Sequence, residues 1–186
     1  VISERQIAYY ERRAQGGISL IITESSPIEM RGMHGRNRIQ IYRENALAEL
    51  ARFAQRIHRH QCRVVLQVTH GGSKASPEII GEYPLAPSSI VLARRDFIPR
   101  QASIDEIEEI TDKFAQSALL AKQAGFDGVG ILAASGHLIH QFLSSASNRR
   151  DDRYGGSVEN RMRLLLDVVG KIKRATGDDF PILVKM

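Results

Sequence analysis

The sequence predicts an α/β fold of the (β/α)8 TIM-barrel kind, with about half of the barrel present as strands two to five and their helices. Three observations predict it. Helix and strand patterns alternate four times along the 186 residues. The strands are near-continuous apolar runs of the kind a parallel sheet buries. The unusual polar residues lie just past the strand C-termini, where barrel enzymes keep their sites. An open doubly wound sheet begins with the same alternation, but no G-x-G-x-x-G phosphate fingerprint follows any strand. Four strands cannot close a barrel, and a complete one takes roughly 250 residues.

In chain order, Ser3 and Gln6 form a capping box for a first helix that turns Ile7, Tyr10 and Ala14 inward and stops at Gly16 and Gly17. The run ISLIIT, 18 to 23, is expected as a buried strand, and 24 to 45 as a long loop holding Pro27. A second helix, about 44 to 60, carries Leu47, Leu50, Ala51, Ala54 and Ile57 at the three-and-four spacing of one buried face. RVVLQV, 63 to 68, is the second strand, followed by a long loop, 69 to 102, with HGGSK and APSS. Ser103 and Glu106 cap a third helix striped by Ile107, Ile110, Phe114, Ala118 and Ala121. The third strand, 128 to 132, opens into a loop to 156 with a short helical turn from Leu138 to Leu143. Ser157 begins a fourth helix with Val158, Met162, Leu165, Val169 and Ile172 inward, and FPILVKM, 180 to 186, is the fourth strand.

Composition narrows the function classes. With 42% hydrophobic and 25% charged residues, the whole chain, 1–186, suits one globular domain. The net charge of +5 comes from bases scattered along helices or set among acids, so solvated faces and local ion pairs are expected. Nucleic acid is not an expected partner; a mild preference for anionic ligands is. Cys62 is alone, so no disulfide framework and no iron or zinc site is expected, and a reducing, cytoplasmic setting fits. No run reaches the roughly 18 apolar residues of a membrane span. VISERQIAYYERR is neither a signal peptide nor a Met start, and FPILVKM stops in mid-strand, so a piece of a longer protein is expected.

The densest chemistry lies in GFDGVGILAASGHLIHQFLSSASNRRDDRYGGSVENR, Gly125 to Arg161. A buried strand there runs into small residues, His137, LIHQF and the charged turn NRRDDRYGG. This segment resembles the old yellow enzyme family of flavin-dependent oxidoreductases, in which the fourth barrel strand leads into G-Y/H-L-[IL]-x-[QE]-F-L-S and then N-x-R-x-D-x-Y-G-G-S-x-E-N-R. The likeness extends from AYYERRAQGGISLIITE to FPILVKM and is nearest to the branch of enoate, dienoyl-thioester and NADH-flavin reductases. It implies a barrel domain whose mouth holds FMN, NADH or NADPH as reductant, and hydride transfer to an activated alkene or similar small molecule. It also implies that the remainder of the barrel is the partner segment and that the protein is a homo-oligomer.

The same resemblance assigns residues. Ser25 matches the position after the first strand whose backbone lies against the flavin. Gln67, in VLQVTHGG, matches the Gln bonded to the pyrimidine edge, which an amide suits because it offers donor and acceptor side by side. A Gln in an apolar strand needs a polar partner in any case, since an unpaired buried amide costs ~1–3 kcal/mol. Lys185, in LVKM, matches a position usually held by Arg beside flavin N1 and O2, where a fixed cation raises electron affinity. His137 falls where most relatives have Tyr and some have His, and is implied as the proton donor to the substrate. Leu132 and Ser135 replace the His, or His and Asn, that grip the substrate carbonyl: Leu has no donor and Ser only a short neutral one. His70 and His140 are expected to be structural, as are Arg149, Arg150, Asp152, Tyr154, Gly155 and Gly156, the glycines for positive φ. An alternative remains, a non-catalytic flavin-binding or subunit-interaction barrel with a degraded substrate site, and an unrelated phosphate-handling barrel enzyme is a third reading.

Overall fold

The computed structural model describes residues 2–91 and 96–186. Its main sheet is entirely parallel: β1 (Leu20–Ile22), β3 (Arg63–Thr69), β6 (Gly128–Leu132) and β7 (Ile182–Lys185) lie side by side in chain order, and β2 (Ser26–Pro27) extends the path of β1 along β3. Winding that always advances in one direction is that of a barrel; a doubly wound sheet reverses at its switch point. The helices cover one face only. Ile21, Val64, Leu66, Val68, Val129 and Ile131 point from that face into one core with Phe53, Ile57, Phe114, Leu164 and Val168, and each such burial stabilises by about 1.5–3 kcal/mol. The chain is therefore half of a (β/α)8 barrel.

The first strand corrects an expectation. It is shorter than 18 to 23 and alternates exposed, buried, exposed, with Leu20 45% and Ile22 44% accessible on the inner face. Those two side chains face the barrel axis, which four strands leave open. Between the pairs Ile22↔Val65 and Ser26↔Val68 the first path carries one residue more than its partner, a bulge that re-aims Glu24 and Ser25 at the strand end.

The capping boxes at Ser3 and Ser103 form as read, opening α1 (Glu4–Gln15) and α4 (Ile104–Gln123), and the whole stripe Ile107 to Ala121 is buried. In α2 (Ala46–His58) the inward face is Ala46, Leu50, Phe53, Ala54 and Ile57, while Leu47 is exposed. The short turn α5 (Leu138–Leu143) falls where expected. In α6 (Val158–Thr176), Ser157 is the cap, but Val158 and Met162 are exposed and Leu164 and Val168 are buried instead. Apolar residues occupy both neighbouring stripes of that helix, so spacing alone does not choose; packing along α4 does. The loop 69 to 102 is more structured than expected. It holds a 3-10 turn (Gly72–Lys74), a one-turn α3 (Pro77–Ile80) and a parallel two-residue ribbon, β4 (Leu85–Ala86) with β5 (Arg100–Gln101), while residues 92–95 of that span lie outside the described residues.

Candidate active site

Register places the first group of residues. Gln67 pairs with Gly130, Gly130 with Leu183, and Leu132 with Lys185, so Gln67, Leu132 and Lys185 all project from the inner face of the sheet. The Gln67 backbone is tied down, its N–H donating to Thr23 Oγ1 at 3.0 Å. Its half-buried amide and the exposed Lys185 ammonium have no hydrogen-bond partner among the described residues. Gly128 and Gly130 let Val65 and Pro181 pack closely against β6, and a Cβ on Gly128 would lie 2.9 Å from the Pro181 carbonyl oxygen. An uncommitted amide and a cation on this face fit the pyrimidine edge of a flavin, which offers an N–H flanked by carbonyl oxygens and gains negative charge on reduction.

A second group forms at the loop level. Ser25 Oγ lies 3.1 Å from His34 Nε2, and the His34 ring meets His137 at 4.9 Å and 87°. Carbonyl oxygens fix both tautomers. His34 Nδ1 lies 3.4 Å from the Gly32 oxygen and His137 Nδ1 3.4 Å from that of Ala134, and a carbonyl only accepts, so both Nδ1 atoms carry the proton. Ser25 therefore donates to His34 Nε2. His137 Nε2 is left with a lone pair, buried and without a partner among the described residues. Burial, then the neighbouring His34 and Lys74, hold the His137 imidazole down to about 4. Burial and then Arg38 also lower His34. His137 is thus neutral at pH 7, and Nε2 is the atom on which it would take up a proton.

Three strand-end loops are knitted together beneath these groups. Lys74 Nζ donates to the Ser135 carbonyl at 2.6 Å, and holds Ser135 at φ 56°, a left-handed conformation that costs a non-glycine residue about 1–2 kcal/mol. The Ser135 side chain is exposed. Gln141, buried, accepts from the Ser73 N–H at 3.1 Å and donates to the Gly71 and Gly136 carbonyls at 3.2 and 2.7 Å. Gly72 has φ +60° and lies so close to Gln141 that a Cβ would meet its Oε1 at 2.5 Å. His70 is structural, as expected: it accepts the Gly72 N–H on Nδ1 and donates Nε2–H to Glu29 Oε1, both at 3.0 Å. Burial raises the Glu29 carboxyl, but His70, Lys113 and Arg31 outweigh it and hold it at about 2. His140, by contrast, is exposed on α5.

The charged turn is structural in a specific way. Buried Arg150 donates to the Pro87 and Ala102 carbonyls at 3.0 and 2.7 Å and pairs with Asp152 at 2.6 Å, pinning the β4–β5 ribbon to the loop after β6. Gly156 takes φ +75°, as expected of a turn glycine; Gly155 does not, and is needed because a Cβ there would collide with the Arg150 carbonyl. Sequence reasoning passed over His34, Lys74, Gln141 and Glu29. Lys74 sits in the singled-out HGGSK and Gln141 in LIHQF, but His34 and Glu29 stand in a loop without periodicity, where only contact reveals a role. A cleft of about 740 Å³ between α1 and the 36 to 43 loop contains none of the site residues.

A parallel half-barrel whose inner face carries an uncommitted amide and cation, with an imidazole pair at the rim, gathers its polar groups at the strand C-termini, as barrel enzymes do. The chain belongs to the NADH:flavin oxidoreductase / NADH oxidase family, which it matches over residues 1–186. It is 39% identical to an NADH oxidase of Thermoanaerobacter brockii over 97% of its own length and 28% of that protein. It is 35% identical to an NADPH dehydrogenase of Bacillus subtilis, covering 97% of the chain and 52% of the relative. The structure of an old yellow enzyme homologue from Zymomonas mobilis superposes with a TM-score of 0.90 at 32% identity, over 99% of this chain and 54% of that one. The chain thus spans between about a quarter and half of the length of these proteins.

Proposed function

We propose that the protein containing this chain is an FMN-dependent oxidoreductase that passes hydride from NADH or NADPH, through the flavin, to an activated alkene or similar small-molecule acceptor. The observation that carries the reading is the pair Gln67 and Lys185, an amide and an ammonium on one face of the sheet with no other engagement among the described residues. Bound FMN supplies the two-electron chemistry. Gln67 offers its amide to the pyrimidine edge, Lys185 sets a cation against the side where reduction places charge, and the Ser25 backbone lies against the flavin from the end of the first strand. Residues 1–186 are then a partial FMN-binding TIM-barrel domain, strands two to five of eight with their helices.

On the acceptor side we assign Ser135 and His137. Ser135 presents a hydroxyl on an exposed left-handed turn, and His137 takes up a proton on its free Nε2 and passes it to the substrate carbon. Leu132 supports a second reading, because an apolar group where an electrophilic donor is expected suits a barrel that keeps flavin but has lost ene-reductase chemistry. Cytoplasmic residence and a homo-oligomer complete the proposal, with neither nucleic acid nor membrane as partner; no helix of the described residues is long and apolar enough to cross a membrane. The test is a flavin spectrum of the full-length protein, followed by anaerobic titration with NADH and NADPH and then with an enone. Absence of flavin refutes both readings, while a flavin that is reduced but not reoxidised by any alkene supports the second.

A further inference from the structure

We propose that His34 is a positioning residue for His137: tethered by the Ser25 hydroxyl, its ring packs at a right angle on His137 and keeps the unpartnered Nε2 away from water until substrate arrives. The proposal rests on the reading of His137 as the acceptor-side proton carrier. Its observations are geometric. Both ring nitrogens of His34 are committed, one to Ser25 at 3.1 Å and one to the Gly32 carbonyl at 3.4 Å, so the ring is held from two sides by the segment that follows the bulge. It meets His137 edge to face at 4.9 Å, a favoured arrangement for aromatic pairs. His137 is only 8% exposed, its Nδ1 is taken by the Ala134 carbonyl, and Nε2 is buried with no hydrogen-bond partner among the described residues.

A buried acceptor without a partner costs about 1–3 kcal/mol, so it persists only where the surroundings enforce it. The charged groups around the pair are Lys74 from the loop after β3 and Arg38 from the loop after β2, with His70 at the end of β3 and Glu24 held on Arg38 at 3.2 Å. Lys74 and Arg38 disfavour a proton on either imidazole. Lys74 is committed to Ser135, however, and Arg38 to Glu24, which leaves His34 as the neighbour whose removal opens His137 to water. His140, on α5, is exposed. Without His34, both the desolvation and the imidazole repulsion acting on His137 fall away.

The experiment is an NMR titration of full-length protein with isotope-labelled histidine, comparing wild type with His34→Ala, His34→Phe and Ser25→Ala. In the wild type, His137 is expected as the Nδ1–H tautomer at pH 7, with its midpoint well below that of free imidazole. His34→Ala should raise that midpoint by at least about one pH unit, a tenfold gain in proton affinity. His34→Phe, which keeps a packed ring, should leave it within about a third of that rise, and Ser25→Ala should move it part of the way up. An unchanged midpoint in His34→Ala overturns the proposal, as does a His34→Phe shift equal to that of His34→Ala, which would assign the effect to charge and not to packing. If His34→Ala does not fold, Ser25→Ala decides alone: a rise supports the tether and no rise refutes it. A missing flavin would show as lost visible absorbance and leaves the titration readable, so failure of the flavin reading and failure of the His34 role are told apart.

Discussion

Gln67 and Lys185 carry the flavin assignment, and each is testable by removing one functional group. Gln67→Leu leaves the pyrimidine edge unmet, at a cost of about 1–3 kcal/mol, so FMN retention in the full-length protein should weaken by roughly 10- to 100-fold in equilibrium dialysis. Lys185→Met keeps much of the stem volume but removes the cation, so the flavin's reduction potential should fall and reduction by the nicotinamide should slow in stopped flow. If both variants match wild type in cofactor content and potential, the placement is wrong. The acceptor side has its own residue-scale test. Leu132→His restores a donor of the kind worth about 2.7–4 kcal/mol in oxyanion stabilisation, so turnover of cyclohexenone should rise by up to about 100- to 1000-fold, read in the oxidative half-reaction. No gain would mean that the pocket is shaped for another acceptor. His137 adds a pH signature: held at about 4 by burial, His34 and Lys74, it is protonated only in a small fraction of molecules at neutral pH. If it delivers the proton, the acceptor half-reaction should quicken about tenfold per unit as pH falls from 7 towards 4, and His137→Gln should flatten that profile.

At the scale of elements, the site depends on the clasp between the 3-10 turn after β3 and α5. Gln141→Leu would orphan the Ser73 N–H and two carbonyls, and with part of that loss recovered by water the expected destabilisation is about 3 kcal/mol in chemical denaturation. Gly72→Ala should be comparably damaging for a different reason, since its φ of +60° and the contact with Gln141 leave no room for a methyl. A substitution at Gly81 provides the control. It also has positive φ, but nothing lies within 4 Å of its Cβ position, so only the conformational strain remains. Equal effects at Gly72 and Gly81 would show that the clasp contributes little.

For the whole molecule, titration should set an acid limit. The Glu29 carboxyl, raised by burial but pulled down further by His70 and Lys113, and that of Glu106, lowered chiefly by Arg100, both sit at about 2 when folded. Their contribution is present above the ordinary carboxylate pKa of about 4.3 and is lost as pH falls through that value towards 2. His137 works in a higher window. Its folded pKa lies below the unfolded one of about 6.5, so the unfolded chain binds the extra proton and stability declines as pH falls from 6.5 towards 4. Denaturant midpoints measured from pH 7 down to 3 should therefore begin to fall before any carboxylate titrates, and His137→Gln should reduce that early part, the rest belonging to His34, which burial also lowers. A midpoint flat from pH 7 to 5 in the wild type contradicts the burial of a neutral His137.

The sequence by itself determined the architecture, because apolar periodicity and capping boxes are local signals. The stripe of α4, the boxes at Ser3 and Ser103 and the apolar runs at 63 to 68 and 128 to 132 each reappear in the structure. Singling out Gln67 was also possible from the chain, since an amide in an apolar strand is conspicuous without any partner being known, whereas Lys185 was marked only by the family resemblance. Tertiary structure alone decided which of two apolar stripes α6 buries, that Leu20 and Ile22 face an open axis, and that Gly155 answers a close approach and not a positive φ. It alone brought Ser25, His34 and His137 together from segments more than a hundred residues apart in part, and fixed the tautomers of both imidazoles. The physical reason is range. Helix and strand patterns are set by neighbours within a few positions, whereas the lone pair on His137 Nε2 is defined by what three strand-end loops place around it, and no spacing along the chain encodes that distance.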